Sequence, residues 1–324
     1  MKAMVYTQYG PPDVLRLEEI EKPVPKYNEV LVKVQAASVN ALDWHLLRAK
    51  PSLVRLMSGL SRPKQKILGA DVAGRVETVG KNVKQFQPGD DVFGTCTGAF
   101  AEYVSVPENS LAPKPASLSF EEAAAVPVAA LTALQGLRSR GEIQPGQKVL
   151  INGASGGVGT FAVQLAKSFG AEVTAVTSTG NLNQARTLGA DFVIDYTREN
   201  FTKNGMRYDR ILAANGYHPI GAYKRALSPA GIYVMTGGST AQMFQAMLLG
   251  PLISMAGKKK LGFLLANPNK NDLLFIKELL ETGNIKPVID RRYPLQEVPE
   301  AIRYVEAGHA KGKVIITLEQ INKT

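Results

Sequence analysis

Residues 149–166 read VLINGASGGVGTFAVQLA, and the order of residue types in this stretch carries chemistry. Val149, Leu150 and Ile151 form the short apolar run of a buried strand. Gly153, Gly156, Gly157 and Gly159 crowd the turn that follows, and Phe161, Ala162, Leu165 and Ala166 then recur at helical spacing. Strand, glycine turn and helix in that order are the context of a dinucleotide fingerprint. Without Cβ atoms the glycines let the backbone turn tightly and come close to a ligand. The free N–H groups at the helix start, around Ser155, Gly156, Gly157 and Val158, would face an anion with the helix dipole behind them. A pyrophosphate fits that place. The spacing Gly153-x-x-Gly156-x-x-Gly159 departs from the standard G-x-G-x-x-G. Taken alone, the same glycines also suit a tight corner that binds nothing.

The elements that must hold this turn are readable around it. The chain has 324 residues, room for two domains, with 45% apolar and 20% charged residues as in a globular protein. The first hundred or so residues are β-rich: EVLVKVQAASV and ADVAGRVETVG alternate in polarity, and QPGDDVFG marks a turn. Ser119 and Glu122 have the spacing of a capping box ahead of an alanine-rich helix, EEAAAVPVAALTALQGL. From Pro145 onward short apolar strands alternate with helices, which predicts a doubly wound parallel sheet. A last helix, NDLLFIKELLETG, and a last strand, KVIITL, are expected to return to the first domain. The fold class read here is α/β, a Rossmann sheet joined to a β-rich domain. The expected boundaries are 1–122 for the first part of the β-rich domain, 123–266 for the nucleotide domain and 267–324 for the return segment. Ligands of an open α/β sheet bind beyond the carboxyl ends of its strands, so the expected cleft lies between the two domains.

Composition narrows the function classes. Cys96 is the single cysteine, which excludes an internal disulfide and a cysteine-rich zinc site. The opening MKAMVYTQYG lacks the apolar core of a signal peptide, so the expected compartment is the cytoplasm. The longest apolar stretch, MFQAMLLGPLISMAG at 243–257, is too short to span a bilayer. It reads as a helix covering a cleft or a subunit contact, with an interfacial helix flanked by Lys258, Lys259 and Lys260 as the lesser alternative. A net charge of +10 raises the question of nucleic acid, but the cations are scattered and form no basic arm. Solvated surface is the preferred reading, and no specific nucleic-acid contact is expected.

The segments GADVAGRVETVG, FQPGDDVFG, GAFAEYVSVPE, ALTAL, GASGGVG, GADFVIDY and HAKGKVIITL, in this order, resemble the medium-chain dehydrogenase/reductase superfamily over nearly the full length. Within it the chain looks most like the zinc-independent quinone oxidoreductases and enone reductases. The resemblance implies a GroES-like catalytic domain, a Rossmann domain, NADP(H) and a homodimer or tetramer. At the family's zinc positions stand Asn40, in SVNALD, and Ala70, in LGADVAG, and the four-cysteine lobe is absent. Zinc needs thiolate or imidazole donors, so no metal site is expected. Without a Lewis acid, hydride is expected to pass to an acceptor that is already electrophilic, a quinone or a conjugated enone. Asn40 could then donate its amide to the carbonyl oxygen as charge builds there, or merely hold its own loop. Asp43 and Trp44 fall where similar zinc-free relatives place an acidic and an aromatic residue at the cleft, and Trp44 suits core packing equally.

Cofactor choice is read one strand further on. An Asp or Glu about twenty residues after the glycine turn holds a free ribose 2′-hydroxyl. Here the sequence is AVTSTGN, with Thr177, Ser178 and Asn181 and no carboxylate to repel a 2′-phosphate. NADPH is therefore expected, with Arg198 and Arg186 as candidates to meet the phosphate charge. The resemblance adds Tyr196 in DYTREN and Thr132 in ALTAL to the cofactor set, and Asn215, closing YDRILAAN, completes it. Two further readings compete with the reductase: a cofactor-binding sensor without turnover, and, last, a zinc alcohol dehydrogenase.

Overall fold

The structure, a computed structural model, describes residues 1–318. Met1–Val128 carries β1 (Lys2–Val5), β2 (Arg16–Glu19), β3 (Glu29–Val39), α1 (Ala41–Arg48), α2 (Val54–Ser58), β4 (Asp71–Val79), β5 (Asp91–Thr95), β6 (Tyr103–Pro107), β7 (Leu111–Pro113) and α3 (Phe120–Ala124). Next come α4 (Pro127–Arg138), β8 (Lys148–Asn152), α5 (Gly157–Ser168), β9 (Glu172–Thr177), α6 (Leu182–Thr187), β10 (Phe192–Asp195), β11 (Tyr208–Ala213), α7 (Ile220–Ala226), β12 (Leu227–Met235), α8 (Thr240–Met255) and β13 (Lys260–Phe263). The last described elements are α9 (Lys270–Glu281), β14 (Ile289–Pro294), α10 (Val298–Glu306) and β15 (Lys313–Thr317).

Two compact units result. Ala129–Asn267 and Thr282–Lys286 form one, and Met1–Val128, Pro268–Glu281 and the chain from Pro287 form the other. The first of these holds a six-stranded sheet in the order β10-β9-β8-β11-β12-β13, every pair parallel. The order reverses beside β8, which makes its carboxyl end the ligand crevice of such a sheet. Val149, Leu150 and Ile151 of β8 are fully buried, and α5 buries Gly159 through Ala166 against the sheet.

In the second unit β15 returns to pair antiparallel with β3, and β4 pairs with the other side of β3. The larger sheet there runs β14-β15-β3-β4-β5-β7, with β6 also on β3. The alanine-rich helix expected as one element is two. Ser119 caps α3 through the reciprocal bonds with Glu122, but α3 stops at Ala124 and α4 starts at Pro127. A proline has no N–H for the preceding turn and its ring pushes the residue before it out of helical geometry. No helix among the described residues is long and apolar enough to cross a membrane.

Candidate functional site

The glycines of the β8–α5 turn have different physical reasons to be glycine. Gly153 sits at φ +83°, and a Cβ there would lie 2.7 Å from Asn215. A Cβ on Gly159 would stand 2.1 Å from the carbonyl oxygen of Gly153. Both are required by the backbone itself. Gly156 is not: its φ is −77°, and an added Cβ would meet only the Gly153 oxygen, at 3.8 Å. As the N-cap of α5 it supplies no side-chain acceptor. The first N–H groups of the helix, at Gly157 and Val158, have no partner within the helix, and Ser155 is part-exposed beside them. The fold tolerates a side chain at Gly156; an anion on those N–H groups would not.

The end of β9 has a matching feature. The Thr177 hydroxyl is buried and has no hydrogen-bond partner, in a position where a buried polar group is ordinarily paired. Ser178 accepts from the Asn181 amide at 3.0 Å, and Asn181 is itself buried. Tyr196 is exposed and its N–H donates to the Thr177 carbonyl at 3.1 Å. Thr179 and Thr197 donate to Asp195 and hold its carboxyl below the usual range. Arg198 pairs with this carboxylate at 3.6 Å, and Arg186 contacts Asn183, so each 2′-phosphate candidate already has a protein partner. Thr132 is buried on α4, and exposed Asn215 lies over Gly153.

In the other unit, strand register builds a buried polar cluster. Ser38 faces Asp71 across β3–β4, and Val39 faces Val314 across β3–β15, which puts Lys313 beside Asn40. Asp71 accepts from Ser38 (2.5 Å), Asn40 (2.9 Å), Lys313 (3.1 Å) and the Val128 N–H (2.7 Å). Lys313 donates its second bond to Asn40 Oδ1 at 2.6 Å. Side-chain exposure of the Lys313–Asp71 pair is 3% and 0%. Asn40 Nδ2 also reaches the Ser38 carbonyl at 3.4 Å, so both amide hydrogens point into the protein. The amide considered from the sequence as a donor to a substrate oxygen has its hydrogens on Asp71 and the Ser38 carbonyl here.

Asp43 closes this arrangement. Its Oδ2 accepts from the Asn40 N–H (2.7 Å), capping α1, and its Oδ1 accepts from the Gly69 N–H (3.0 Å). Burial raises its carboxyl to about 7, with the two N–H bonds and Lys313 opposing and the Asp71 carboxylate adding. Trp44 is half-buried, packs on the core of its unit and stacks on His45 with ring centroids 3.6 Å apart. Neither Asn40 nor Ala70 can serve as a zinc thiolate or imidazole. Among the described residues no three His, Cys, Asp or Glu side chains gather as metal ligands would.

The raised Asp43 carboxyl gives a pH prediction. A folded-state value above the unfolded one favours the protonated fold, so this stability is complete below about pH 4 and is lost as pH rises through about 7. Asp43→Asn mimics the protonated form and does not titrate. The Tm of the unmodified protein minus that of Asp43→Asn should therefore fall across that window. A difference that stays constant with pH contradicts the assignment.

Ser38, Asp71 and Lys313 were not among the residues singled out from the sequence. Their one visible signal is type against context: an aspartate opening the apolar run DVAG and a lysine opening KVIITL.

Comparison with known proteins agrees with this architecture. The "Alcohol dehydrogenase GroES-like domain" family matches residues 26–116 and the "Zinc-binding dehydrogenase" family matches residues 188–316. The chain is 37% identical to the chloroplastic quinone-oxidoreductase homolog of Spinacia oleracea, over 98% of each chain. It is 35% identical to the chloroplastic NADPH-dependent alkenal/one oxidoreductase of Arabidopsis thaliana, covering 98% of this chain and 79% of that protein. The solved quinone oxidoreductase from Coxiella burnetii superposes with a TM-score of 0.87 at 30% identity, covering 98% of this chain and 99% of that one. The inserted parallel sheet, the GroES-like unit closed by its own C-terminal strand and full-length likeness together place the chain in the medium-chain dehydrogenase/reductase superfamily, in its zinc-independent quinone oxidoreductase branch.

Proposed function

We propose that the protein is an NADPH-dependent reductase acting on a quinone or on the conjugated double bond of an enone or alkenal. The observation that carries this reading is Gly156, a glycine the backbone does not need at the mouth of a capless helix. The relatives named as quinone and NADPH-dependent alkenal/one oxidoreductases support the acceptor class. NADPH, when bound, supplies the hydride. The N–H groups of Gly157 and Val158 hold the pyrophosphate, with Gly156 leaving room for it. The unpaired Thr177 hydroxyl and Ser178 donate toward the 2′-phosphate, and Tyr196 lies beside them. Thr132 and Asn215 complete the cofactor set.

No side chain is assigned the proton that completes the reduction. Both Asp43 oxygens are bound by backbone N–H groups, so solvent or a ribose hydroxyl supplies it. Asn40 and Asp43 fix the chain around Trp44 by way of Asp71 and Lys313. As the family resemblance implies, we take the protein to act as a homodimer, which its mass in sedimentation equilibrium checks.

Cofactor preference tests the nucleotide half of this reading. With a quinone acceptor, kcat/KM for NADPH should exceed that for NADH at least about tenfold, or ~1.4 kcal/mol. Ser178→Asp sets a carboxylate against the 2′-phosphate and should reverse the order. Equal use of the two nucleotides by the unmodified protein would sink the assignment of Thr177 and Ser178.

A further inference from the structure

Strand β8 ends on a buried amide. After Val149, Leu150 and Ile151, all fully buried, comes Asn152 at 5% exposure, the residue directly before Gly153. It lies in register with Val176 of β9 on one side and Ala213 of β11 on the other, where the sheet order reverses. Its carbonyl accepts from the Ala214 N–H (2.9 Å) and the Asn215 N–H (3.2 Å). Its side chain meets the same segment: a Cβ on Gly216 would lie 3.0 Å from Asn152 Nδ2. Asn152 therefore holds the chain leaving β11 with both its backbone and its amide, and that chain carries Asn215 against Gly153.

The amide is itself held from behind. Its Nδ2 donates to the Tyr223 hydroxyl of α7 at 2.8 Å, and that hydroxyl also accepts from Gln242 Nε2 of α8 at 3.4 Å. Gln242 Nε2 donates again to the Tyr233 hydroxyl of β12 at 2.8 Å. Tyr223 is fully buried, its ring centroid 4.4 Å from that of Tyr233 and 5.7 Å from that of His218. Burial raises its phenol to about 12, outweighing the bonds from Asn152 and Gln242, so the hydroxyl stays neutral. The chain is incomplete at its far end, where Gln242 Oε1 is buried with no partner. A buried polar network left partly satisfied stabilises less than an apolar core would. Stability is therefore not what this network contributes; a fixed position for Asn152 is.

We infer that Tyr223 is a positioning residue for the nucleotide, its hydroxyl setting through Asn152 how the β8–α5 turn and Asn215 stand to receive NADPH. The inference rests on the NADPH reading above and deepens it, since neither Tyr223 nor Gln242 belongs to the cofactor set. Each acts through Asn152. A site held in place before the ligand arrives binds it more tightly, because less ordering is left to be done on binding.

Titration of the full chain with NADPH, followed by nucleotide fluorescence, tests it. Tyr223→Phe keeps the ring and removes only the hydroxyl, and its Kd should rise at least about fivefold. KM for NADPH should rise with it, while kcat at saturating NADPH stays within about twofold. Gln242→Met removes the unpaired oxygen, so Tm should hold while NADPH binding weakens about threefold. Adding Asn152→Leu to Tyr223→Phe removes the donor left without a partner, and should recover Tm without recovering affinity. An unchanged Kd in either single variant overturns the inference, because the network is then only scaffold. So does a double variant that regains affinity along with Tm. If the unmodified protein binds no NADPH, the nucleotide reading itself falls, and the positioning role with it.

Discussion

Replacing Gly156 with valine should lower NADPH affinity at least about a hundredfold, ~2.7 kcal/mol, with little change in Tm. The local geometry separates these two effects. The backbone at Gly156 is extended at φ −77° and ψ 175°, which valine adopts readily. The Cβ has no close neighbour, so the protein accepts the side chain. The isopropyl group instead fills the approach to the Gly157 and Val158 N–H groups, where the pyrophosphate must come close. Gly159→Ala is the informative contrast. Its Cβ would collide with the Gly153 carbonyl, so Tm should drop even with no cofactor present. A Gly156→Val protein that titrates NADPH normally would show that the turn is a corner and nothing more.

Asp71→Ala should be among the most destabilising single changes in the GroES-like unit, at about 3–5 kcal/mol, the range for breaking a buried ion pair by removing one partner. Asp71 ties four donors, from Ser38, Asn40, Lys313 and the Val128 N–H, and its removal takes that acceptor from all of them, leaving the buried Lys313 ammonium with only the Asn40 amide oxygen. Lys313→Met should cost less, since Asp71 keeps three of those donors and methionine has an unbranched apolar stem like that of lysine. The two losses should be strongly non-additive. Lys313→Met introduced into the Asp71→Ala protein should recover part of its Tm, because it removes the charge left without a partner. Losses that simply add would mean that the pair is not coupled, and a neutral Asp71→Ala would contradict the buried network outright.

What the sequence discloses about this protein follows the reach of each interaction. The β8–α5 turn is legible because the absence of a Cβ is a property of residue type, and the apolar periods on either side are local. Which glycine serves the ligand is not legible. Gly153, Gly156 and Gly159 look alike in sequence, and only the neighbouring Asn215 and Gly153 carbonyl distinguish them. The break between α3 and α4 was visible in Pro127, yet the alanine run on either side masked it. The Asn40–Lys313 contact joins residues 273 positions apart, and it exists because β15 pairs with β3 in one register. No pattern within either segment encodes that pairing. Asn40 shows the consequence: its type and place suited a donor to substrate, and its partners are supplied from β4 and β15. Helix α8 is nearly apolar all round, so its sequence does not disclose which face the fold would cover.

The most direct test of the reductase assignment is NADPH oxidation by the purified protein against a panel of quinones and conjugated enones, with the nicotinamide deuterated and the products analysed. At least one acceptor should be consumed mole for mole with NADPH, and Gly156→Val should lose that turnover. With an enone, deuterium should appear at the β-carbon. A protein that binds NADPH tightly yet oxidises it with no acceptor above the uncatalysed rate would contradict the assignment and leave a nucleotide-binding sensor in its place.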